Sequence, residues 1–158
     1  MEVGEKAFPE SLHPELVAPC VMDCGLCIAH LRKRKRCSGC NGDDATKSAH
    51  CATCAIKTCG DRAAGVFCFE CSRFPCARVR HIDRRYRGKY GMSMVENLER
   101  IQEVGIDAFV AGERVRWACP ECGGVLSVHR PACVYCGHGW DPSVVRAWLQ
   151  AVEDERVD

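Results

Sequence analysis

Apolar positions recur at regular spacing mainly in the second half of this chain. In SMVENLERIQEVG, Met94, Val95, Leu98 and Ile101 fall on one face at helical spacing. Ser93 and Glu96 form a capping-box pair with Ser93 as N-cap, and Gly105 suits the position just past the helix end. The segment 106–116 predicts a short second helix. Asp141-Pro142 reads as N-cap then first helical position, opening a last helix with Val144, Val145, Trp148, Leu149 and Val152 on one face. Both stripes have the width of core-packing faces, and neither reads as a membrane-binding face. Between them, Val125, Leu126 and Val128 give strand character.

The first half lacks such periodicity. Residues 1–19 hold three prolines and predict an extended lead-in that packs on the domain or stays mobile. Residues 20–76 contain ten large apolar side chains: Val21, Met22, Leu26, Ile28, Leu31, Ile56, Val66, Phe67, Phe69 and Phe74. Ten is too few to offset the entropy of ordering so long a segment, so it needs staples. Residues 77–91, ARVRHIDRRYRGKYG, are arginine-rich with two tyrosines.

Composition names the staples. The chain has 158 residues and 15 cysteines, an odd number, most of them in C-x2-C pairs. Cysteines so spaced rarely bond each other but readily grip one metal ion. The start, MEVGEKAFPESLHPELVAP, shows no basic stretch leading into an apolar run, and no run of eighteen apolar residues occurs. The expectation is a cytoplasmic, metal-binding chain with no membrane partner, not a secreted disulfide framework.

The spacing Cys119-x2-Cys122-x10-Cys133-x2-Cys136, with Gly123 and Gly137 after the knuckles, describes a zinc ribbon. Rubredoxin-type iron uses similar knuckles. His129 and His138 lie near as surplus surface residues. Cys37, Cys40, Cys51 and Cys54 repeat the ribbon spacing and predict a second four-cysteine site. Seven cysteines remain: Cys20, Cys24, Cys27, Cys59, Cys68, Cys71 and Cys76. With one histidine (His30, His50 or His81) they would fill two more tetrahedral sites, so two to four Zn²⁺ are expected. Cys51, Cys54 and Cys59 recur seventeen positions on as Cys68, Cys71 and Cys76, two copies of one clip, each leaving a cysteine to cross to another site. The triad Cys20-x3-Cys24-x2-Cys27 also occurs in radical enzymes that carry an open iron–sulfur cluster. Those enzymes need a large barrel that this segment is too short to form. A closed [4Fe–4S] cluster within residues 20–76 remains the alternative cofactor.

Taken together, APCVMDCGLC, CSGC, CATCAIKTC, FCFECSRFPC, RYRGKYGMSMVENL and CPECGG…HR…CVYCG resemble domain-of-unknown-function family 3795, in its longer form with an appended zinc ribbon. The resemblance covers about residues 18–138. It implies a small prokaryotic cytoplasmic protein that binds zinc and has no established reaction. Cys20-Val21-Met22 stands where the family usually reads Cys-Gly-Leu.

Charge is uneven. Residues 1–19 carry −3, residues 20–91 carry +9 and residues 92–158 carry −5. The runs RKRKRC and RVRHIDRRYRGKY invite a nucleic-acid reading, with arginines on phosphates and tyrosines stacking on bases. Zinc in four thiolates contributes −2, however, and the arginines of residues 20–91 are expected chiefly to neutralise thiolates. No Ser/His/Asp order, phosphate loop or His-Glu-x-x-His pattern appears, and the chain does not read as an enzyme. Glu70, between Cys68 and Cys71, is the one candidate acid–base group, with a surface carboxylate as the plainer reading.

The expected fold is a small metal-stapled α+β protein: a lead-in (1–19), a cysteine-rich irregular/helical N-terminal module (20–91), connecting helices (92–116), a zinc-ribbon hairpin (117–140) and a C-terminal helix (141–158). Its expected function is non-catalytic binding, with another protein as partner. An iron–sulfur electron carrier or redox sensor is the alternative, and nucleic-acid binding through residues 78–90 the weaker one.

Overall fold

A computed structural model describes residues 2–62 and 66–141. The C-terminal helix expected after Asp141 therefore lies outside the described residues. The rest is mostly helical. Two short helices, α1 (Ile28–Leu31) and α2 (Ala49–Ala52), sit among 3₁₀ turns, and three longer ones follow: α3 (Ala77–Tyr90), α4 (Met94–Val104) and α5 (Ile106–Arg116).

α4 begins and ends where its pattern predicts. Ser93 Oγ accepts from the Glu96 amide at 3.1 Å, and Gly105 takes a left-handed φ of 85°. Met94, Leu98 and Ile101 are buried. Residues 106–116 form the expected second helix, which sends Phe109 and Val110 into the same core.

α3 was not foreseen. Its six exposed basic side chains mask an apolar row at Val79, Ile82, Tyr86 and Tyr90, spaced three and four apart. Gly91, at φ 64°, ends it. Asp83 then locks α3 to the start of α4: its carboxylate accepts from Ser93 Oγ (2.7 Å), the Val95 amide (3.0 Å) and Arg87 Nε (2.8 Å).

The lead-in is packed rather than loose. Leu12 and Val17 are fully buried, and two 3₁₀ turns, Pro9–Ser11 and Pro14–Leu16, give it shape. Short 3₁₀ turns leave no long periodicity for a sequence to show. Arg114 on α5 holds the Leu12 carbonyl with Nε (3.0 Å) and Nη2 (2.8 Å). Gly25 is small for a reason, since a Cβ there would meet Leu12 Cδ2 at 2.5 Å. One core thus joins the lead-in, the turn at Val21 and Met22, Leu26, α3–α5, Trp117, and Val125, Leu126 and Val128.

Val21 occupies the position where the resembled family usually has glycine, and its φ is 70°. A β-branched residue in that region is strained. The turn is closed by Val21 N–H to Ala18 O (2.8 Å) and Ala18 N–H to Met22 O (2.9 Å), and the Val21 side chain is buried to 1 % exposure. The backbone geometry thus explains a glycine there, and burial of the Val21 side chain offsets the strain here.

The strand expectation fails in detail. The described residues contain isolated antiparallel bridges and no extended sheet. Val125, Leu126 and Val128 are buried as expected; Leu126 N–H pairs across the first knuckle with Trp117 O (2.8 Å), whereas the Val125 and Val128 amides leave the ribbon for Ala7 O (2.8 Å) and Leu26 O (3.1 Å).

Candidate metal centre

Each C-terminal knuckle is a tight turn built the same way. The Gly123 amide donates to Cys119 O and the Gly137 amide to Cys133 O, both at 2.9 Å. Both glycines take left-handed φ values, 72° and 79°, as the turn requires. A bridge closes each knuckle, Ala118 with Val125 and Ala132 with Gly139. The turns bring Cys119, Cys122, Cys133 and Cys136 together, with all four sulfurs within 4.8 Å of one another. The Cys119–Cys136 and Cys122–Cys133 sulfur pairs are each 3.7 Å apart. A tetrahedral ion with metal–sulfur bonds of about 2.3 Å sets its sulfurs about 3.8 Å apart. The four cysteines therefore fit one metal ion. The Gly124 amide, aimed at Cys122, lowers that thiol to about 7, whereas burial raises Cys133. Four thiols this close cannot all ionise without a cation among them.

The eleven other cysteines behave differently. None is in a disulfide. Among the described residues, the C-terminal four are the one group of three or more ligand atoms gathered within 4.8 Å. The predicted set Cys37, Cys40, Cys51 and Cys54 is thus not drawn onto one point despite its ribbon-like spacing. Instead the Cys40 amide donates to Cys24 Sγ at 3.2 Å, and Gly39 packs its backbone on Cys24. Burial pushes the Cys20 thiol up to about 12, with Cys40, Cys68 and Cys54 as charged neighbours, and it also raises Cys24, Cys27 and Cys40. Cys37 and Cys51 are among the neighbours that raise Cys27. Cys59, Cys71 and Cys76 share a separate cavity.

The histidines offered as extra ligands are placed otherwise. His30 Nδ1 lies 2.7 Å from Cys37 O and Nε2 3.1 Å from Arg36 Nη2, so both ring nitrogens are engaged. His50 and His81 are exposed. Glu70 caps its own turn, accepting from the Val66 (2.6 Å) and Phe67 (2.7 Å) amides.

His129 is not the surface residue its position suggested. Its Nδ1 accepts from the Ile28 amide at 3.4 Å, so the neutral ring carries its proton on Nε2 and donates to Tyr86 Oη at 3.0 Å. Tyr86 and Tyr90 meet the ring edge-on at 5.8 and 5.0 Å between centroids. Burial, then Arg130 and Arg85, lower its pKa to about 4. A histidine with a depressed folded pKa stabilises fully above its ordinary value of about 6.5, and the contribution is lost as pH falls toward 4. Allowing for its partial exposure, we expect about 1–2 kcal/mol of pH-dependent stability across that window. His129→Gln should flatten this part of the profile relative to wild type in urea titrations, and parallel profiles would remove His129 from that role.

The tyrosines that pack on His129 are the ones expected to stack on bases. Turned toward the ring, they offer no such platform, while Arg78, Arg80, Arg84, Arg85, Arg87 and Lys89 stay exposed. Backbone amides support several N-terminal sulfurs: Gly39 N–H donates to Cys37 Sγ, Cys40 N–H to Cys24 Sγ and Arg73 N–H to Cys71 Sγ.

The whole is a small, mostly helical, cysteine-rich protein with a four-cysteine cluster able to hold a metal ion. Residues 16–81 match the model of a family described as "Protein of unknown function (DUF3795)". The match ends before the C-terminal cluster. No curated protein and no solved structure matches the chain. Among the described residues, no helix is long and apolar enough to cross a membrane.

Proposed function

We propose that the chain is a zinc-stapled, non-catalytic binding module of the cytoplasm, acting through another protein. The four C-terminal sulfurs at single-ion spacing carry this reading. Zinc closed by four thiolates has no vacant position for water and so serves structure. Glu70, the one candidate acid–base group, is occupied by two amides, which further disfavours catalysis. Nucleic-acid binding is left with exposed arginines on α3 and without its stacking tyrosines, so it ranks lower.

A second reading, an iron–sulfur carrier or sensor, is favoured by one observation. Cys20, Cys24, Cys27 and Cys40 have other cysteines as electrostatic neighbours, and Cys59, Cys71 and Cys76 share a cavity, yet among the described residues no three N-terminal ligand atoms gather within 4.8 Å. A cluster with several irons spreads its cysteines farther than one ion does.

Metal analysis with a thiol count on protein purified under reducing conditions tests the first reading. We expect at least one zinc per chain, and focusing clearly below the sequence pI of 7.5, because each closed thiolate site adds negative charge. Metal-free protein that focuses at the sequence pI would end the zinc reading.

A further inference from the structure

Cys59, Cys71 and Cys76 line one cavity of about 200 Å³ with Asp61, Arg73 and Arg78 on its wall. The C-terminal centre does not account for it. Cys68, the other half of the Cys68-x2-Cys71 pair, does not line it. That side chain is 6 % exposed and packs in the core, with its amide on Pro19 O (2.9 Å) and Cys20 as a neighbour. The repeat is thus split: Cys59 of the first copy joins Cys71 and Cys76 of the second, and the set numbers three.

We propose that Cys59, Cys71 and Cys76 bind an iron–sulfur cluster of the [4Fe–4S] class through three thiolates, leaving one iron open to the cavity. This rests on the second reading above and names its site. Three independent features support it. The first is spacing. This chain can bring sulfurs to 3.7 Å where one ion is to be held, yet these three face a common cavity without all lying within 4.8 Å of one another. Thiolates on separate irons of a cube need that wider set, with a volume between them to hold the cube.

The second is charge. Three thiolates on a 2+ core carry −1, and two arginines stand on the wall. Arg73 Nη1 pairs with Asp61 at 2.9 Å, so the charged wall sums to +1, matching the cluster, with Arg78 as the uncancelled cation. The third is polar support. The Arg73 amide donates to Cys71 Sγ at 3.4 Å, and Cys76 precedes the first turn of the fourteen-residue α3, whose free amides favour negative charge. The open iron would take a small oxygen or nitrogen donor, and Arg78 on the wall favours an anionic one.

The test uses the full chain purified without oxygen and reconstituted with ferrous iron and sulfide. Wild type should be brown, and Cys71→Ser and Cys76→Ser should each lose one cluster's worth, about four irons and four sulfides. The ion at Cys119, Cys122, Cys133 and Cys136 should remain in both. Arg78→Ala leaves all ligands in place. It should keep the iron count and lower the reduction potential, because a nearby cation favours the more negative reduced cluster. This variant decides the matter if a serine variant does not fold. Zinc uptake without sulfide-bearing iron overturns both the proposal and the second reading. Iron and sulfide unchanged in both serine variants, or an unshifted potential in Arg78→Ala, overturns this assignment alone.

Discussion

Cys119→Ser, or stripping the ion with chelator under reducing conditions, is expected to cost the protein more than any packing change. Structural zinc sites supply about 10–16 kcal/mol of apparent folding free energy in small domains, and losing one ligand weakens the ion's hold severely. The effect should not stay local. Val125, Leu126 and Val128 are all at most 2 % exposed, and the knuckles hold them in register. They meet the lead-in and the Cys24–Leu26 turn through Val125 N–H to Ala7 O (2.8 Å), Ser127 Oγ–H to Leu26 O (2.9 Å) and Val128 N–H to Leu26 O (3.1 Å). Tyr135 Oη takes the Ala7 amide at 3.0 Å. Releasing the ion frees this surface, so the amino-terminal lead-in should loosen with it. We expect a fall in melting temperature of more than about 10 °C, since each kcal/mol is worth roughly 2–4 °C in a chain of this size. Amide exchange should rise at Ala7 and Val128 together. A stripped protein that kept its melting temperature within about 3 °C would show that apolar packing alone holds the region.

What could be read in the sequence was local. The Ser93–Glu96 cap lies within one turn and the C-terminal knuckles within eighteen residues, so spacing alone fixes their geometry. α3 escaped because charge dominates its composition, although Val79, Ile82, Tyr86 and Tyr90 already mark a face. Whether the lead-in packs or stays mobile was open in the sequence, because a partner such as Arg114 on α5, which holds the Leu12 carbonyl, lies about a hundred residues away. The N-terminal cysteines show the same limit in reverse. The spacing of Cys37, Cys40, Cys51 and Cys54 copies the C-terminal set, and Cys54 and Cys51 are neighbours of Cys40, yet the four ligand atoms do not gather within 4.8 Å, and Cys59 shares the cavity of Cys71 and Cys76. Which sulfur meets which depends on chain crossings that spacing does not encode. Tyr86 and Tyr90 make the point for function: interleaved with arginines they look like a stacking surface, but helical periodicity turns them toward His129.

The second large effect is expected at Trp117, where α5 hands over to the first knuckle. The ring is 1 % exposed, meets Trp140 edge-on at 5.1 Å and has the Arg116 guanidinium 5.0 Å from its centroid. Its Nε1–H donates to Glu113 Oε2 at 2.8 Å, and Glu113 is 4 % exposed. Trp117→Ala should cost about 3–5 kcal/mol, the usual range for a large buried aromatic. Trp117→Phe keeps much of the volume but strips a buried carboxylate of its best donor, and should cost about 1–3 kcal/mol. Burial raises the pKa of Glu113, against Arg116 and Trp117, which lower it. A carboxyl raised in the fold stabilises most below its unfolded value and loses that contribution as pH rises through the folded value. Its slope is therefore opposite in sign to that of His129. Glu113→Gln keeps an acceptor for Trp117 and removes the buried charge, so its stability relative to wild type should improve steadily as pH rises above about 4.5. Urea titrations at several pH values on both single variants and the double variant would isolate the coupling. If Glu113→Gln instead lost more than about 2 kcal/mol at neutral pH, the carboxylate would be acting as the charged partner of Arg116, 3.5 Å away, and the burial argument would be wrong.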